Sequence, residues 1–234
     1  MSCILHIETS TKVCSVAVSQ DGTCIHEETA MEGPSHATQC GVFVEQALSF
    51  ADSHAIPVDA VAVSQGPGSY TGLRIGYSMA KGVAYGRGIP LIALPTLEIM
   101  CVPVLLYREL EENALLVPMI DARRMEVYAA VYDRALKPLR GVQADIVDAE
   151  TYREYLAKGP VYFFGDGSAK VQTVISHPNA RFLSDIHPLA KHMFPLAERR
   201  MMHQDFVDVA YSEPFYLKEF EAKPSKDMLH SVKS

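Results

Sequence analysis

The order of its apolar segments constrains the fold of this chain more than any other feature. Three short runs rich in Ile and Val are followed by a helical pattern, a continuous apolar run and a second helical pattern. The same order of strand-strand-strand-helix-strand-helix recurs about one domain length later, roughly a hundred residues along the chain. We therefore predict an α/β fold of two duplicated lobes, each a mixed sheet covered by helices.

The individual elements follow from hydrophobic periodicity and turn signals. Strands are predicted at Cys3–Glu8, 13–20, 23–28, 58–64, 91–94, 116–121, 126–133, 137–147 and Val161–Phe164. Helices are predicted at 37–52, 71–85, 96–112 with Thr96 as the N-cap, 149–157, 168–175 and 187–204. These elements place a first lobe in residues 1–107, an abbreviated second lobe in 108–213 and a partly disordered tail in 214–234.

Two such lobes facing each other are typical of the actin-like (ASKHA, ribonuclease-H-like) fold of sugar kinases and heat-shock ATPases, in which a nucleotide lies between the lobes. In that group the first strand of each lobe offers a carboxylate and a hairpin to the phosphates. Glu8, Thr9, Ser10 and Asp121 stand at those two places and are candidate phosphate contacts. The alternative, that Thr9 and Ser10 only satisfy backbone groups of a turn, stays open.

A glycine-rich segment from Gly66 to Gly76 joins a strand to the next helix, but it lacks the lysine and the spacing of a P-loop. In that helix Gly72, Gly76, Ala80 and Ala84 recur every fourth residue and therefore share one face. Glycine inside a helix costs about 1 kcal/mol relative to alanine. The smooth face therefore has a function, which is either tight packing on the protein's own sheet or contact with a partner helix.

Three segments together resemble the bacterial TsaB family, also called YeaZ. They are IETST at 7–11, GPGSYTGLRIG at 66–76 and DARRMEVY at 121–128, in the family's order and spacing. The resemblance implies a part in making threonylcarbamoyladenosine in tRNA, as the companion that pairs with the catalytic subunit TsaD and is joined by TsaE. It also implies that pairing uses helices of the first lobe, which favours the Gly72, Gly76, Ala80 and Ala84 face as the partner interface. Without a partner, the same face is expected to form a homodimer.

The resemblance transfers no catalytic residue. TsaD-like enzymes hold a metal with two histidines four residues apart, and Thr96 and Met100 stand at the matching positions here. His187 and His192 are five residues apart and do not share a helix face as a ligand pair would. We therefore expect no metal and no catalytic residues.

Nucleotide binding by the chain alone is not expected either. The counterpart of the glycine-rich adenine segment of TsaD is only Gly165-Asp166-Gly167-Ser168. We expect ATP only within the complex with TsaD. The alternative function is a small actin-like ATPase or kinase that uses Glu8, Thr9 and Asp121, and a metallopeptidase-like activity is the least favoured.

Charge and composition bear on partners and compartment. A net charge of −7 argues against a chain that binds nucleic acid by itself. We therefore expect contact with tRNA only indirectly, through the complex. Arg123-Arg124 and Arg199-Arg200 either touch tRNA in that complex or are solvated surface. The sequence shows no membrane-spanning apolar run and no signal peptide, and its five cysteines form no C-x-x-C pair, so free thiols and a cytoplasmic location are expected.

Overall fold

Two five-stranded sheets of the same topology form the framework of the computed structural model, which describes residues 2–31 and 36–218. The first sheet consists of β1 (Cys3–Glu8), β2 (Cys14–Gln20), β3 (Thr23–Ala30), β4 (Ala60–Gly66) and β5 (Leu91–Pro95). Its order is β3-β2-β1-β4-β5. The β1, β2 and β3 strands are antiparallel neighbours, whereas β4 and β5 run parallel to β1.

The second sheet repeats this arrangement. It consists of β6 (Leu115–Asp121), β7 (Glu126–Tyr132), β8 (Pro138–Ile146), β9 (Val161–Phe164) and β10 (Ala180–Leu183). Its order is β8-β7-β6-β9-β10, again with three antiparallel strands and two that run parallel to the first. The predicted α/β fold with duplicated mixed sheets is therefore confirmed. The last strand, β10, was not predicted.

The helices differ more from the prediction than the strands do. They are α1 (His36–Ser53), α2 (Tyr70–Arg87), α3 (Thr96–Tyr107), α4 (Arg153–Leu156), α5 (Ser168–Val171) and α6 (Phe194–Met202). The helices predicted at 149–157 and 168–175 shrink to four residues each. The one predicted at 187–204 is a short 3₁₀ turn, Ala190–His192, followed by α6.

The ends of α3 also correct the prediction. Thr96 is the first helical residue rather than the N-cap, because β5 runs directly into the helix and Pro95 stands at the cap without a side-chain hydrogen bond. The helix stops at Tyr107 instead of continuing to 112. The next residues include three glutamates, whose charge is unfavourable at a helix C-terminus.

The α3 helix connects the two sheets physically. Its Ile99 and Val102 pack on the first sheet, whereas Leu97, Met100, Cys101 and Val104 pack on the second. A helix that is apolar on all sides is expected where both sides are covered. The 3₁₀ turn and α6 also pack on the first sheet, although they follow the second in the chain. The boundaries at 107 and 213 stay predictions.

The other face of the first sheet is covered by α1 and α2, which lie side by side on it. This pair of helices and the loops at the carboxyl ends of β1 and β4 position the candidate site. Across the part of the chain that the structure describes, no helix is both long enough and apolar enough to cross a membrane.

Candidate functional site

The first two residues of the turn that joins β1 to β2, Thr9 and Ser10, are buried at the centre of the candidate site, whereas Lys12 at its tip is exposed. Thr9 and Ser10 have no exposed surface. Thr9 Oγ1 donates a hydrogen bond of 2.8 Å to the carbonyl oxygen of Gly72 in α2. Ser69 N donates one of 2.7 Å to the carbonyl oxygen of Ser10. The glycine-rich segment therefore holds this turn from outside.

Three glycines are required by this close approach. A Cβ atom at Gly68 would lie 2.2 Å from the carbonyl oxygen of Ser10. One at Gly72 would lie 2.1 Å from the carbonyl oxygen of Thr9, and one at Gly76 would lie 2.2 Å from Thr9 Oγ1. These distances are far inside van der Waals contact, so only a residue without a Cβ atom fits. The glycine pattern is thus explained by a contact within the chain.

We therefore correct the prediction that Gly72, Gly76, Ala80 and Ala84 form the partner interface. All four are buried on the side of α2 that faces the first sheet. Ala80 and Ala84 belong to the apolar core that α1 and α2 form with this sheet. The protein's own turn and sheet already cover this face of the helix.

A second row of small residues faces outward on the same helix. Ser78, Gly82 and Gly86 are exposed, and a Cβ atom at Gly82 or Gly86 would meet nothing within 4 Å. Two large apolar side chains lie exposed on this pair of helices, Tyr85 with 84% of its surface accessible and Val42 of α1 with 46%. The smooth and apolar surface of the first lobe is therefore the outer side of α1 and α2.

Glu8 is fully buried at the end of β1. Its Oε1 accepts hydrogen bonds from Ser10 N at 2.6 Å and from Ser10 Oγ at 2.5 Å. Ser64 Oγ, on the adjacent strand β4, lies close to this carboxyl group. Burial raises the pKa of Glu8 from 4.5 to about 7, although hydrogen bonds from Ser10 and from Ser64 oppose this rise. The site therefore contains a carboxyl group that is protonated over much of the mildly acidic range.

The four predicted phosphate contacts are not brought together at a surface. Glu8, Thr9 and Ser10 are fully buried and bonded within the chain, so a phosphate cannot reach them, and we correct that prediction. Asp121 is exposed at the end of β6 in the other sheet, where it forms an ion pair with Lys170 of α5. The alternative prediction, that Thr9 and Ser10 form hydrogen bonds within the turn region, agrees with the structure. The positions of Glu8, Thr9 and Asp121 do not favour an ATPase or kinase site.

The hairpin between β6 and β7 is the corresponding turn of the second lobe, and it is exposed. Ala122 N donates to the carbonyl oxygen of Glu126 at 3.0 Å, and Glu126 N donates to that of Arg123 at 3.1 Å. Arg123 and Arg124, at the tip, both have left-handed backbone angles, with φ of 71° and 50°. Lys170 Nζ, already paired with Asp121, also donates to the carbonyl oxygen of Glu126 at 2.6 Å.

The segment from Ser212 to Lys218, which we call the strap, was assigned to the tail or its border in the prediction. Lys81 Nζ of α2 donates to the carbonyl oxygens of Ala210 at 3.0 Å and Ser212 at 2.8 Å. Phe215 N donates to the carbonyl oxygen of Gln65 at 2.6 Å. The strap then reaches the second lobe, where Lys218 Nζ donates to Glu126 Oε1 at 2.5 Å.

No local sequence pattern predicts the strap, because its contacts join residues roughly ninety or more positions apart. The remainder of the predicted tail, residues 219–234, lies outside the described part of the chain.

The two positions that match the metal-binding histidines of TsaD-like enzymes lie in the apolar interior. Thr96 and Met100 are buried in α3. Within residues 2–31 and 36–218, no three His, Cys, Asp or Glu side chains are grouped as metal ligands would be. That the protein binds no metal stays a prediction. The five cysteines are free thiols, as predicted, and four of them are buried.

Comparisons with known proteins agree with this architecture. The family model of TsaD, tRNA N6-adenosine threonylcarbamoyltransferase, matches residues 30–226. A tRNA threonylcarbamoyladenosine biosynthesis protein TsaB from Escherichia coli (strain K12) is 30% identical over 222 residues, which are 92% of this chain and 94% of that protein. The protein of the same name from Haemophilus influenzae is 29% identical over 229 residues, 92% of this chain and 93% of that protein.

A solved structure of YeaZ from Pseudomonas aeruginosa has the same fold. It superposes with a TM-score of 0.77 at 25% sequence identity, over 93% of this chain and 100% of that one. The similarity in sequence and in structure therefore extends over both lobes, and it agrees with the duplicated α/β architecture.

Proposed function

Because the chain belongs to the TsaB family of tRNA threonylcarbamoyladenosine biosynthesis proteins, we propose that it is a scaffold and activator subunit for this tRNA modification. In this role it pairs with a TsaD-type transferase, which transfers the threonylcarbamoyl group to N6 of adenosine in tRNA, and TsaE joins the pair. The observation that carries the proposal is the match to E. coli TsaB over 92% of this chain and 94% of that protein.

A non-catalytic role is supported by the state of the candidate residues. Glu8, Thr9 and Ser10 are buried and bonded to one another or to α2, so they cannot contact a substrate. Thr96 and Met100 are packed in the interior at the positions compared with metal-binding histidines. We propose that catalysis takes place on the transferase, and that ATP binds only within the complex of the two proteins.

The partner surface that we propose is the outer side of α1 and α2. Gly82 and Gly86 offer a smooth row on which another helix backbone could lie closely, and Val42 and Tyr85 supply exposed apolar area beside it. This surface replaces the buried Gly72-to-Ala84 face as the interface with TsaD. Because a flat helix pair can be self-complementary, the same surface is proposed to form a two-fold homodimer when the chain is alone.

Reconstitution tests the proposed function. Unmodified tRNA, the transferase, TsaE and the substrates are incubated with and without this chain, and threonylcarbamoyladenosine is measured by mass spectrometry of nucleosides. We expect product only when both the chain and the transferase are present. Product from the chain without the transferase would contradict the non-catalytic role, and equal product without the chain would contradict the activator role.

A further inference from the structure

The sequence contains two pairs of adjacent arginines, and the structure distinguishes them. Arg199 lies 3.8 Å from Glu98, and Arg200 forms an ion pair with Asp205. Arg123 and Arg124 are exposed at the tip of the β6–β7 hairpin, and neither guanidinium has an ion pair or hydrogen bond to any residue in the described ranges. Only the hairpin pair therefore presents uncompensated positive charge.

The carboxylates nearest to the hairpin arginines in sequence are already paired. Asp121 is paired with Lys170 of α5, and Glu126 is paired with Lys218 of the strap. Both lysines are brought to the hairpin from distant parts of the chain. A third carboxylate, Asp166, lies at the base of the hairpin, where its Oδ1 accepts a hydrogen bond of 2.9 Å from Asp121 N. Three carboxylates thus face two lysines and two arginines, so a smaller local positive excess remains on a protein of net charge −7.

The hairpin also holds the two arginines in a defined place. Left-handed backbone angles are uncommon for residues with a Cβ atom, so this tip is maintained against a small conformational cost. Two backbone hydrogen bonds close the hairpin below the tip, and Lys170 Nζ binds the carbonyl oxygen of Glu126 from the side. The arginines are therefore presented from a fixed support rather than from a long loop.

We propose that the Arg123-Arg124 hairpin is a direct contact for the backbone phosphates of tRNA in the complex, an inference that rests on the proposed function. The planar guanidinium group binds phosphate oxygens in pairs, which suits arginine to RNA backbones. Such contacts carry no sequence information and depend strongly on salt. The acidic remainder of the chain makes this contact weak for the chain alone and useful when another subunit supplies most of the affinity.

The test uses the complex of the full chain with its transferase and compares matched variants. R123A/R124A removes the unpaired arginines, and R199A/R200A removes the same charge from the paired ones. Binding of fluorescein-labelled unmodified tRNA is measured by anisotropy at several salt concentrations, and complex formation is measured separately by size exclusion. We expect R123A/R124A to weaken tRNA binding about tenfold and to lower the salt dependence by about two phosphate contacts. The R199A/R200A control should bind as the wild type does.

Different failures are distinguishable. Equal tRNA affinity for R123A/R124A and the control would overturn the inference while leaving the proposed function intact. Loss of co-elution with the transferase in R123A/R124A would make the hairpin a protein contact, and a selective loss of ATP binding by the complex would make it a nucleotide contact. Both results overturn the inference.

The inference stays testable if the wild-type chain does not bind the transferase, which would contradict the proposed function. The chain alone is then titrated into labelled tRNA at low ionic strength, where phosphate contacts are strongest. Weaker binding by R123A/R124A than by R199A/R200A would support the hairpin contact, and equal binding would overturn it.

Discussion

The hydroxyl group of Thr9 donates a hydrogen bond of 2.8 Å to the carbonyl oxygen of Gly72, between residues 63 positions apart in the sequence. This bond joins the first turn of the sheet to the first turns of α2. The backbone of Thr9 is so close to the helix that a Cβ atom at Gly72 would lie 2.1 Å from its carbonyl oxygen. The glycine-rich motif therefore allows α2 to pack directly on the turn.

Replacement of Gly72 by alanine is predicted to destabilise the protein. The new methyl group would collide with a backbone carbonyl that cannot rotate away, and such overpacking costs about 1–3 kcal/mol. Gly86→Ala is the matched control, since open space surrounds that position in the same helix and alanine should add about 0.5–1 kcal/mol of stability. Urea denaturation measures both. A Gly72→Ala protein as stable as the wild type would contradict the close approach.

A bulky substitution at Gly82 is predicted to block association with the transferase. The same substitution at Ala80 is predicted to affect association only by destabilising the fold. Gly82→Leu places a bulky side chain in open space on the outer side of α2, so the protein should fold normally and fail to co-elute with the transferase. Ala80→Leu, one helical turn from Gly76 on the inner side, should lower the free energy of unfolding by about 1–3 kcal/mol because Ala80 is fully buried.

Size exclusion with light scattering and urea denaturation separate these two effects. Co-elution of folded Gly82→Leu protein at the wild-type yield would remove the outer side of α2 from the proposed interface.

The small-residue stripe shows what the sequence could and could not predict. Spacing by four residues correctly indicates a smooth face, but α2 has two such rows, Gly72 to Ala84 and Ser78 to Gly86. Which row faces inward is decided by the position of Thr9, and no local pattern contains that information. The succession of strands along the chain was predictable because alternating and continuous apolar runs reflect burial on one or two faces.

The missed elements share a physical cause. The β10 strand is only four residues long, and its edge position leaves the residues partly exposed, so its apolar signal is weak. The strap depends on backbone groups that accept from Lys81 and on the Lys218–Glu126 pair, which side-chain patterns do not encode. Short edge strands and long-range polar contacts are therefore the features that could not be predicted from the sequence.

Glu8 is predicted to make the stability of the protein fall as the pH rises from about 4.5 to about 7. In that window the unfolded chain is ionised at this residue, whereas the folded protein keeps the proton because burial raises the pKa to about 7. Folding therefore binds a proton, and the stability is fully present below the unfolded pKa and lost as the pH passes the folded pKa. Glu8→Gln cannot ionise, so its stability relative to the wild type should rise by about 2–3 kcal/mol between pH 5 and pH 8.

The comparison of the two proteins is needed because buried histidines act in the opposite direction. Burial lowers the pKa of His6 to about 3 and that of His192 to about 4, so their contribution is present above the unfolded value of 6.5 and is lost as the pH falls. These terms are common to the wild type and Glu8→Gln, and they cancel in the difference. A difference that does not change with pH would show that Glu8 keeps an ordinary pKa.

The strap is predicted to be held on α2 by Lys81. Its ammonium group donates to the carbonyl oxygens of Ala210 and Ser212, the first bond exposed and the second partly buried. Hydrogen bonds to a charged group contribute about 1.5–3 kcal/mol, and exposure to water places this pair at the low end of that range. Lys81→Met keeps the aliphatic stem and removes both bonds, so local opening of the strap should increase about tenfold.

Chymotrypsin reports this opening, because Tyr211, Phe215 and Tyr216 are exposed aromatic residues in or beside the strap. Cleavage under native conditions should be faster in Lys81→Met and unchanged in Lys191→Met, which removes a surface ion pair with Glu27 elsewhere on the protein. Since the same strap delivers Lys218 to Glu126, its release should also free that carboxylate beside the hairpin arginines and weaken their contact with phosphate. Equal cleavage rates in the two variants would show that the strap is held by its other contacts, such as the bond from Phe215 N to the carbonyl oxygen of Gln65 in β4.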